Sequence, residues 1–317
     1  MKKFLNQNKI LIALLCCLQI TTVCAQTDLD AIMMEKKALC VGPMYSYSSW
    51  KKYWEGTLKR ENLNLGTVST QMYSIMGAYG ISRKLNALFS VPYVKTKASA
   101  GTLHGLDGLQ DLSLFLKWRA IQQKIGYGRL SVFAIGGLSF PLTNYTPDFL
   151  PLSIGLHSKT ASARLMIDYE RNKLFATGSA TYVFRDNINI DRDNYYTTEM
   201  HYTHEVEMPD AASFNLRIGY RTFRLIAEAV VNNWTTLGGF DITRNNMPFP
   251  SNRMNATTLG VNIKYVLPPL PQLSIVTGGN TTIAGRNMGQ SSTVYGSIFY
   301  VFNLEGKPKT KTGTSTK

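Results

Sequence analysis

The connections between the strands of this chain alternate in length, and this regularity limits the folds open to the sequence. Segments in which apolar and polar residues alternate predict up to twelve β-strands after residue 40, since successive side chains of a strand point to opposite faces. Every second connection is short, as at 82–84 and 171–172, whereas most of the intervening ones are long, as at 98–110 and 187–210. An up-and-down barrel of the outer membrane sorts its loops in this way, with short periplasmic turns and long external loops. We therefore expect an all-β fold, a transmembrane up-and-down antiparallel β-barrel of about twelve strands.

Segment 111–119 shows the alternation most clearly. One face carries Leu112, Leu114, Leu116 and Trp118, and the other carries Asp111, Ser113, Phe115, Lys117 and Arg119. In a membrane barrel the leucine face meets lipid and the charged face meets the lumen. The twelve strands are expected near residues 41–52, 68–81, 85–97, 111–122, 129–141, 158–170, 173–186, 211–222, 223–234, 254–266, 271–284 and 291–302.

Several apolar faces end in an aromatic residue, which is typical of strands that reach a membrane interface. Amphipathic rings favour the boundary between lipid headgroups and hydrocarbon, so Trp118, Tyr169, Tyr182, Tyr220 and Tyr265 are expected to form interfacial girdles. Closing the sheet removes unpaired strand edges, to which lipid offers no hydrogen bonds. The mean hydropathy of -0.10 agrees with this fold, because half of each strand is polar.

The first 25 residues have the pattern of an export signal. Three lysines precede the apolar run Ile10–Leu18, and Val23-Cys24-Ala25 forms a small-residue cleavage site. We expect a signal peptide over 1–25, cleavage after Ala25 and export to the outer membrane; acylation of Cys24 in a lipoprotein is the alternative. Cys40 is the one cysteine after residue 25, so no intrachain disulfide can form.

The remaining segments are a barrel domain over 41–303, an N-terminal segment over 26–40 and a tail over 304–317. Thr27 and Asp30 have the spacing of a loose helix N-cap. The N-terminal segment is therefore either a short helix or plug inside the barrel, a periplasmic extension or a poorly ordered terminus. The tail contains four lysines and no apolar residue after Leu304, so we expect a disordered periplasmic segment.

Residues 85–119 resemble a known family. The run Leu-Phe-Ser-Val-Pro-Tyr-Val at 88–94, the run Gly-Leu-Gln-Asp-Leu-Ser-Leu at 108–114 and Lys117-Trp118-Arg119 are similar to the pattern of the outer-membrane family named for the meta pathway of phenol degradation. The resemblance covers roughly 68–186, and the usual Pro-Thr-Gly after Phe140 is missing. It implies an outer-membrane channel for apolar or aromatic compounds. The export signal and composition resemble those of a Bacteroides-type bacterium.

The sequence gives little support for a catalytic or metal-binding site. The four histidines, His104, His157, His201 and His204, fall in or beside predicted external loops, and neither G-x-S-x-G nor H-E-x-x-H occurs. The spacing of His201 and His204, and the acidic stretch 186–193, are better explained as solvated loops than as metal sites. We expect no catalytic residue, no metal and no cofactor, so the chain is not predicted to be an enzyme.

Charged residues on the inward faces are the candidate lumen lining. Nine basic residues outnumber four acidic ones there, and like charge in a narrow tube of low dielectric constant favours the opposite ion. Weak anion preference is one expectation, and a closed network of ion pairs that fills the interior is the other. The lumen-lining candidates are Lys117, Arg119, Arg164, Asp168, Arg217, Glu228 and Lys264.

The sequence as a whole predicts a passive pore or uptake channel for a small solute. The alternative is a structural, surface-binding or assembly component of the outer membrane. Expected partners are outer-membrane lipid and lipopolysaccharide, the barrel-assembly machinery and an unidentified small-molecule solute. Cleavage of the signal would leave 31 basic and 20 acidic residues, a formal charge of +11. This surplus lies in no basic helix or base-stacking motif, so we expect no nucleic-acid partner.

Overall fold

The computed structural model describes residues 27–243 and 247–304, and twelve long strands account for most of them. The predicted signal peptide at 1–25 and all but the first residue of the predicted tail at 304–317 lie outside the described residues. No helix in the described ranges is long and apolar enough to cross a membrane. The strands are β1 (Ala38–Trp50), β2 (Val68–Gly80), β3 (Leu85–Ala98), β4 (Asp111–Ile125), β5 (Gly128–Pro141), β6 (Thr160–Arg171), β7 (Leu174–Arg185), β8 (Ala211–Arg221), β9 (Leu225–Thr236), β10 (Asn255–Val266), β11 (Leu273–Arg286) and β12 (Ser292–Asn303).

The sheet closes on itself. Each strand pairs antiparallel with its neighbours in the chain, and β1 pairs with β12 from Ala38 opposite Asn303 to Ser49 opposite Ser292. The predicted twelve-stranded up-and-down barrel is therefore confirmed. Every expected strand overlaps an observed one, and the first begins at Ala38 rather than at residue 41.

Loop lengths follow the predicted alternation. Short turns such as Gly126–Tyr127 and Asn172–Lys173 lie at one end of the barrel, which we call the turn end. The long connections lie at the other end, which we call the loop end. Two of them contain small hairpins of their own: Lys52–Glu55 pairs with Leu58–Glu61, and Ile188–Asn189 pairs with Glu205–Val206.

The outer face of the barrel is apolar, as expected. Leu114, Leu116 and Trp118 on β4 are 40%, 54% and 51% exposed, whereas Lys117 between them is fully buried. The other predicted girdle residues, Tyr169, Tyr182, Tyr220 and Tyr265, are also exposed on this face. The face of β4 that carries leucine therefore points outward, and its lysine points into the lumen.

The N-terminal segment enters the lumen from the turn end and forms no helix between residues 27 and 37. Met34 is buried in a cluster with inward-facing residues of several strands, including Cys40, Leu88 and Phe299. Ala31 and Met33 pack against a second cluster around Phe133, Ile135 and Met166. The helical alternative is thus wrong for the described residues, and an irregular segment fills part of the interior instead.

The outward position of Leu114 predicts the result of a charge substitution. Leu114→Lys places an ammonium group against lipid and should destabilise the barrel by about 2–4 kcal/mol, the range for lysine on a lipid face near the bilayer midplane. Leu63→Lys is the matched control, since Leu63 is 80% exposed in an external loop. Urea unfolding in lipid vesicles and heat-modifiable migration on gels measure the difference. Equal stability of the two variants would contradict the outward assignment.

Candidate functional site in the barrel lumen

A cavity of about 430 Å³ lies in the lumen, between the N-terminal segment and the inner faces of β8–β12, β1 and β2. Residues 27–30 and Ile32 of the segment line one side of it, and on the β8–β10 side it extends to Arg221, Ile226 and Lys264 near the turn end. Sites for small molecules commonly occupy 300–1,000 Å³. The described lumen therefore offers room for one small molecule rather than a wide aqueous passage.

The loop end of the lumen is narrowed by the loop between β5 and β6. Leu152 is fully buried against inward-facing Val68, and its carbonyl oxygen accepts a hydrogen bond from the Thr96 hydroxyl at 2.6 Å. Ile154 packs in a cluster with Val94, and the partly buried Met72 lies against that cluster. This loop therefore folds into the barrel mouth, where it packs against inward-facing residues of β2 and β3.

One wall of the cavity is apolar. Met44 on β1, Met72 and Met76 on β2, Val276 on β11 and Phe299 on β12 contribute to it. Methionine is unbranched and its thioether is polarizable, so methionine-rich surfaces adapt to apolar bodies of different shapes. This wall suits the apolar part of a solute.

The opposite wall is a hydrogen-bonded chain that crosses β8, β9, β10 and β12. The Arg217 guanidinium donates to Glu228 and, at 3.0 Å, to the Asn215 side chain. Asn262 donates to the same Glu228 carboxylate at 2.8 Å and accepts from the Tyr295 hydroxyl at 3.0 Å. A buried polar group without a partner is costly, so these side chains stabilise one another in the interior.

A second network lies nearer the turn end. Arg221 forms ion pairs with Asp168 at 3.2 Å and Glu170 at 3.1 Å, and its guanidinium lies 3.9 Å from the centre of the Phe175 ring. The Thr177 hydroxyl donates to Asp168 at 2.6 Å. The interior arginine is therefore matched by acids on β6.

The N-terminal segment is bound to the barrel by two ion pairs. The Lys117 ammonium lies 3.0 Å from the Asp30 carboxylate and also donates to the carbonyl oxygens of Thr27 and Asp30. Arg164 donates to the carboxylate and the carbonyl oxygen of Asp28 at 2.7 and 2.8 Å. We call these two pairs the segment latch.

The Thr27–Asp30 pattern that suggested a helix N-cap forms a turn instead. The Asp30 carboxylate accepts from the Thr27 and Ile32 backbone N–H groups at 2.6 and 3.0 Å. The capping contacts thus orient the same carboxylate that binds Lys117. The pattern therefore marks a turn at Thr27–Asp30, and no helix follows it in the described residues.

The structure places six of the seven candidate lumen residues inside the barrel. Asp168, Arg217, Glu228 and Lys264 are buried or nearly so on inner faces, and Lys117 and Arg164 bind the N-terminal segment. Arg119 is different: it donates to the Arg83 carbonyl oxygen at the turn end and belongs to the rim. The β4–β5 register shifts between Arg119 and Ile121, which ends the strict alternation there.

Sequence reasoning missed most of the uncharged lining. Met44, Met72 and Met76 occupy inward positions of β1 and β2, and the period of two could have identified them once the faces were assigned. Asp28 and Asp30 could not be found in this way, because no periodicity links residues 27–30 to Lys117 or Arg164.

The external histidines take part in loop packing. His201 stacks on Tyr195 at 4.7 Å, and its Nε2 atom lies 2.8 Å from the Thr197 hydroxyl. His157 packs edge-on against Tyr145 at 4.9 Å. Within residues 27–243 and 247–304, no group of three or more His, Cys, Asp or Glu side chains could hold a metal ion.

The fold is similar to that of an outer membrane channel from Pseudomonas putida F1, with a TM-score of 0.68 and 14% sequence identity, over 88% of this chain and 100% of that chain. Lower similarity is found to the translocator domain of autotransporter NalP from Neisseria meningitidis, with a TM-score of 0.44 and 10% identity over 86% and 90% of the two chains. The CymD monoaromatic hydrocarbon channel gives a TM-score of 0.41 and 12% identity over 86% and 90%.

No curated protein sequence matches the chain significantly. A family model does match, over residues 75–298, and its description is "Putative MetA-pathway of phenol degradation". This range contains the motif residues of β3 and β4, all of the inward polar network except the N-terminal acids, and nine complete strands. The chain belongs to this family.

Proposed function

We propose that the protein is a passive channel of the outer membrane that admits a small, largely apolar and uncharged solute. The observation that carries this proposal is the cavity in the lumen, with a methionine-rich wall on one side and hydrogen-bonded polar side chains on another. The description of the family and the channel from Pseudomonas putida F1 support the same class of function. Insertion by the barrel-assembly machinery into lipopolysaccharide-containing membrane forms part of the proposal.

Pairing of the interior charges favours an uncharged solute. Lys117, Arg164, Arg217 and Arg221 each form an ion pair with an acid, and two of those acids come from the N-terminal segment. Because these charges are paired, the net positive field in the lumen is weaker than the count of nine inward basic and four inward acidic residues indicated. The anion preference inferred from the sequence stays a prediction, and the pairing supports the alternative of a closed ion-pair network.

We further propose that the N-terminal segment is the plug of this channel. It lies in the lumen and lines one side of the cavity, and the buried segment latch holds it against β4 and β6. Removing one partner of a buried ion pair costs about 3–5 kcal/mol because the other charge is left uncompensated, so withdrawal of Asp28 and Asp30 from Arg164 and Lys117 is opposed. Solute passage then requires at least partial release of this segment.

Deletion of residues 26–36 should open the channel, because it removes the segment that occupies part of the lumen and leaves β1 intact from Ala38. We expect several-fold higher single-channel conductance and faster liposome swelling than with the mature chain that begins at Gln26. Deletion of residues 307–317 is the length-matched control and should leave both values unchanged. Equal conductance of the deletion and the control would contradict the plug, and absence of conductance in every form would contradict the pore.

Substitution of Lys117 should weaken the plug without shortening the chain. Lys117→Gln leaves the Asp30 carboxylate without its buried cation, so more frequent opening events are expected in planar bilayers. Arg217→Gln is the control, because the hydrogen bonds of Arg217 go to Asn215 and Glu228 on barrel strands. If both variants open with the wild-type frequency, the segment latch does not control access.

Solute charge is tested with two aromatic compounds of similar size. Phenol should enter proteoliposomes that contain the mature chain faster than benzoate does, each relative to protein-free liposomes, because the interior charges of the chain that keeps Asp28 and Asp30 are paired and leave no uncompensated site for a carboxylate. Uptake measured at equal concentration and pH 7 compares the two. Faster entry of benzoate would instead support the anion preference.

A further inference from the structure

A crevice of about 710 Å³ crosses the lipid-facing surface of β11, β12, β1, β2 and β3. It lies outside the lumen, and exposed side chains such as Tyr45, Tyr73, Ile75 and Ile298 form its walls. The crevice is therefore open to membrane lipid, and Met44, Val276 and Ser297, which line both spaces, form the barrel wall between it and the lumen cavity.

Two small features of the wall produce this depression. The β1–β12 pairing omits Gly42 and Pro43 between the pairs Val41–Tyr300 and Met44–Ser297, and proline has no N–H to donate. Gly296 lies on the outer face between exposed Val294 and Ile298 and offers no side chain. A Cβ atom added at Gly296 would meet no heavy atom closer than 4.0 Å, so the space above it is open.

Two lysines lie directly beyond the loop-end side of the crevice. Lys95 and Lys97 are exposed on the outer face of β3, two and four residues past Tyr93, which contributes to the crevice wall. Successive strand residues are about 3.4 Å apart, so the lysines lie roughly 7 and 14 Å along the strand from Tyr93. Exposed tyrosines mark the interface, and this distance places the ammonium groups among lipid headgroups.

Lys95 and Lys97 supply most of the positive charge on the outer face of the barrel in the half nearer the loop end. In the loop-end halves of the twelve strands, all of them within the described residues, the other outward side chains are uncharged except for Arg286, which is bonded to Asp241. Asp107 is opposite Lys95 in the register, but its carboxylate accepts the Tyr93 hydroxyl, and no ion pair joins it to Lys95 among the described residues.

We propose that the crevice and the two lysines form a docking site for a phosphorylated glycolipid of the outer leaflet, of the lipid A type. An acyl chain lies in the apolar crevice, and a phosphate group lies between Lys95 and Lys97. Charge complementarity selects the phosphate, since ammonium groups bind phosphate oxygens through charge-assisted hydrogen bonds. The position of the lysines at the loop end, where the family fold has its external loops, selects the outer leaflet.

Native mass spectrometry of the purified mature protein, titrated with bis-phosphorylated lipid A, tests the site. The Lys95→Gln/Lys97→Gln variant should bind roughly 25-fold more weakly, from the usual contribution of each lysine near an anionic membrane surface. Lys59→Gln/Lys159→Gln removes the same charge from exposed positions of two external loops and should bind like the wild type. Equal binding by the two double variants would overturn the assignment of the lysines.

Two further experiments test which lipid supplies the phosphate and whether the crevice contributes to binding. Dephosphorylated lipid A and phosphatidylethanolamine should each bind the wild type weakly. Their affinities should not exceed that of phosphorylated lipid A for the Lys95→Gln/Lys97→Gln variant. Gly296→Leu starts from a Cβ position with no heavy atom closer than 4.0 Å and places an apolar side chain in the crevice, so it should weaken lipid A binding while migration on gels stays heat-modifiable. Binding of either comparison lipid at the level of lipid A, or unchanged binding by Gly296→Leu, would contradict the proposal.

Discussion

Every backbone N–H and C=O group of a strand in lipid needs a hydrogen-bond partner within the protein, and the rest of this structure depends on that requirement. The β1–β12 pairing meets it by closing the sheet. Closure fixes which face of each strand meets lipid, and a shift of one residue would expose every polar side chain. The leucines of β4 consequently lie outside, and Lys117 has to find its partners inside.

The need of Lys117 for a partner inside the barrel also determines what occupies the lumen. Lys117 is fully buried, and its partner Asp30 belongs to the N-terminal segment rather than to a strand. A buried lysine without an acid would be unstable, so satisfying its charge also holds the segment in the lumen. The same contacts that complete the interior therefore keep the segment in the lumen, beside a cavity whose walls differ in polarity.

The barrel could be predicted from the sequence because its signals are local. Alternation with a period of two, turn residues and loop lengths identified all twelve strands, and the outward assignment of Leu114, Leu116 and Trp118 followed from them. The candidate site was predicted only in part. Alternation placed Asp168, Arg217, Glu228 and Lys264 inside, but it could not reveal that Asp28 and Asp30 bind residues 136 and 87 positions away. Arg119 was assigned to the lumen because a register shift beside it leaves no trace in the hydrophobic pattern.

Cross-linking of the N-terminal segment to the barrel wall is the most direct test of this account. Asp28→Cys and Arg164→Cys replace an ion pair of 2.7 Å, and the single cysteine of the mature chain, Cys40, is 1% exposed and does not compete. A short, cleavable bifunctional thiol reagent should join the pair in membranes, keep conductance low, and allow it to rise once the link is cleaved. Failure to form the cross-link, or conductance that is the same before and after cleavage, would contradict occlusion by the segment.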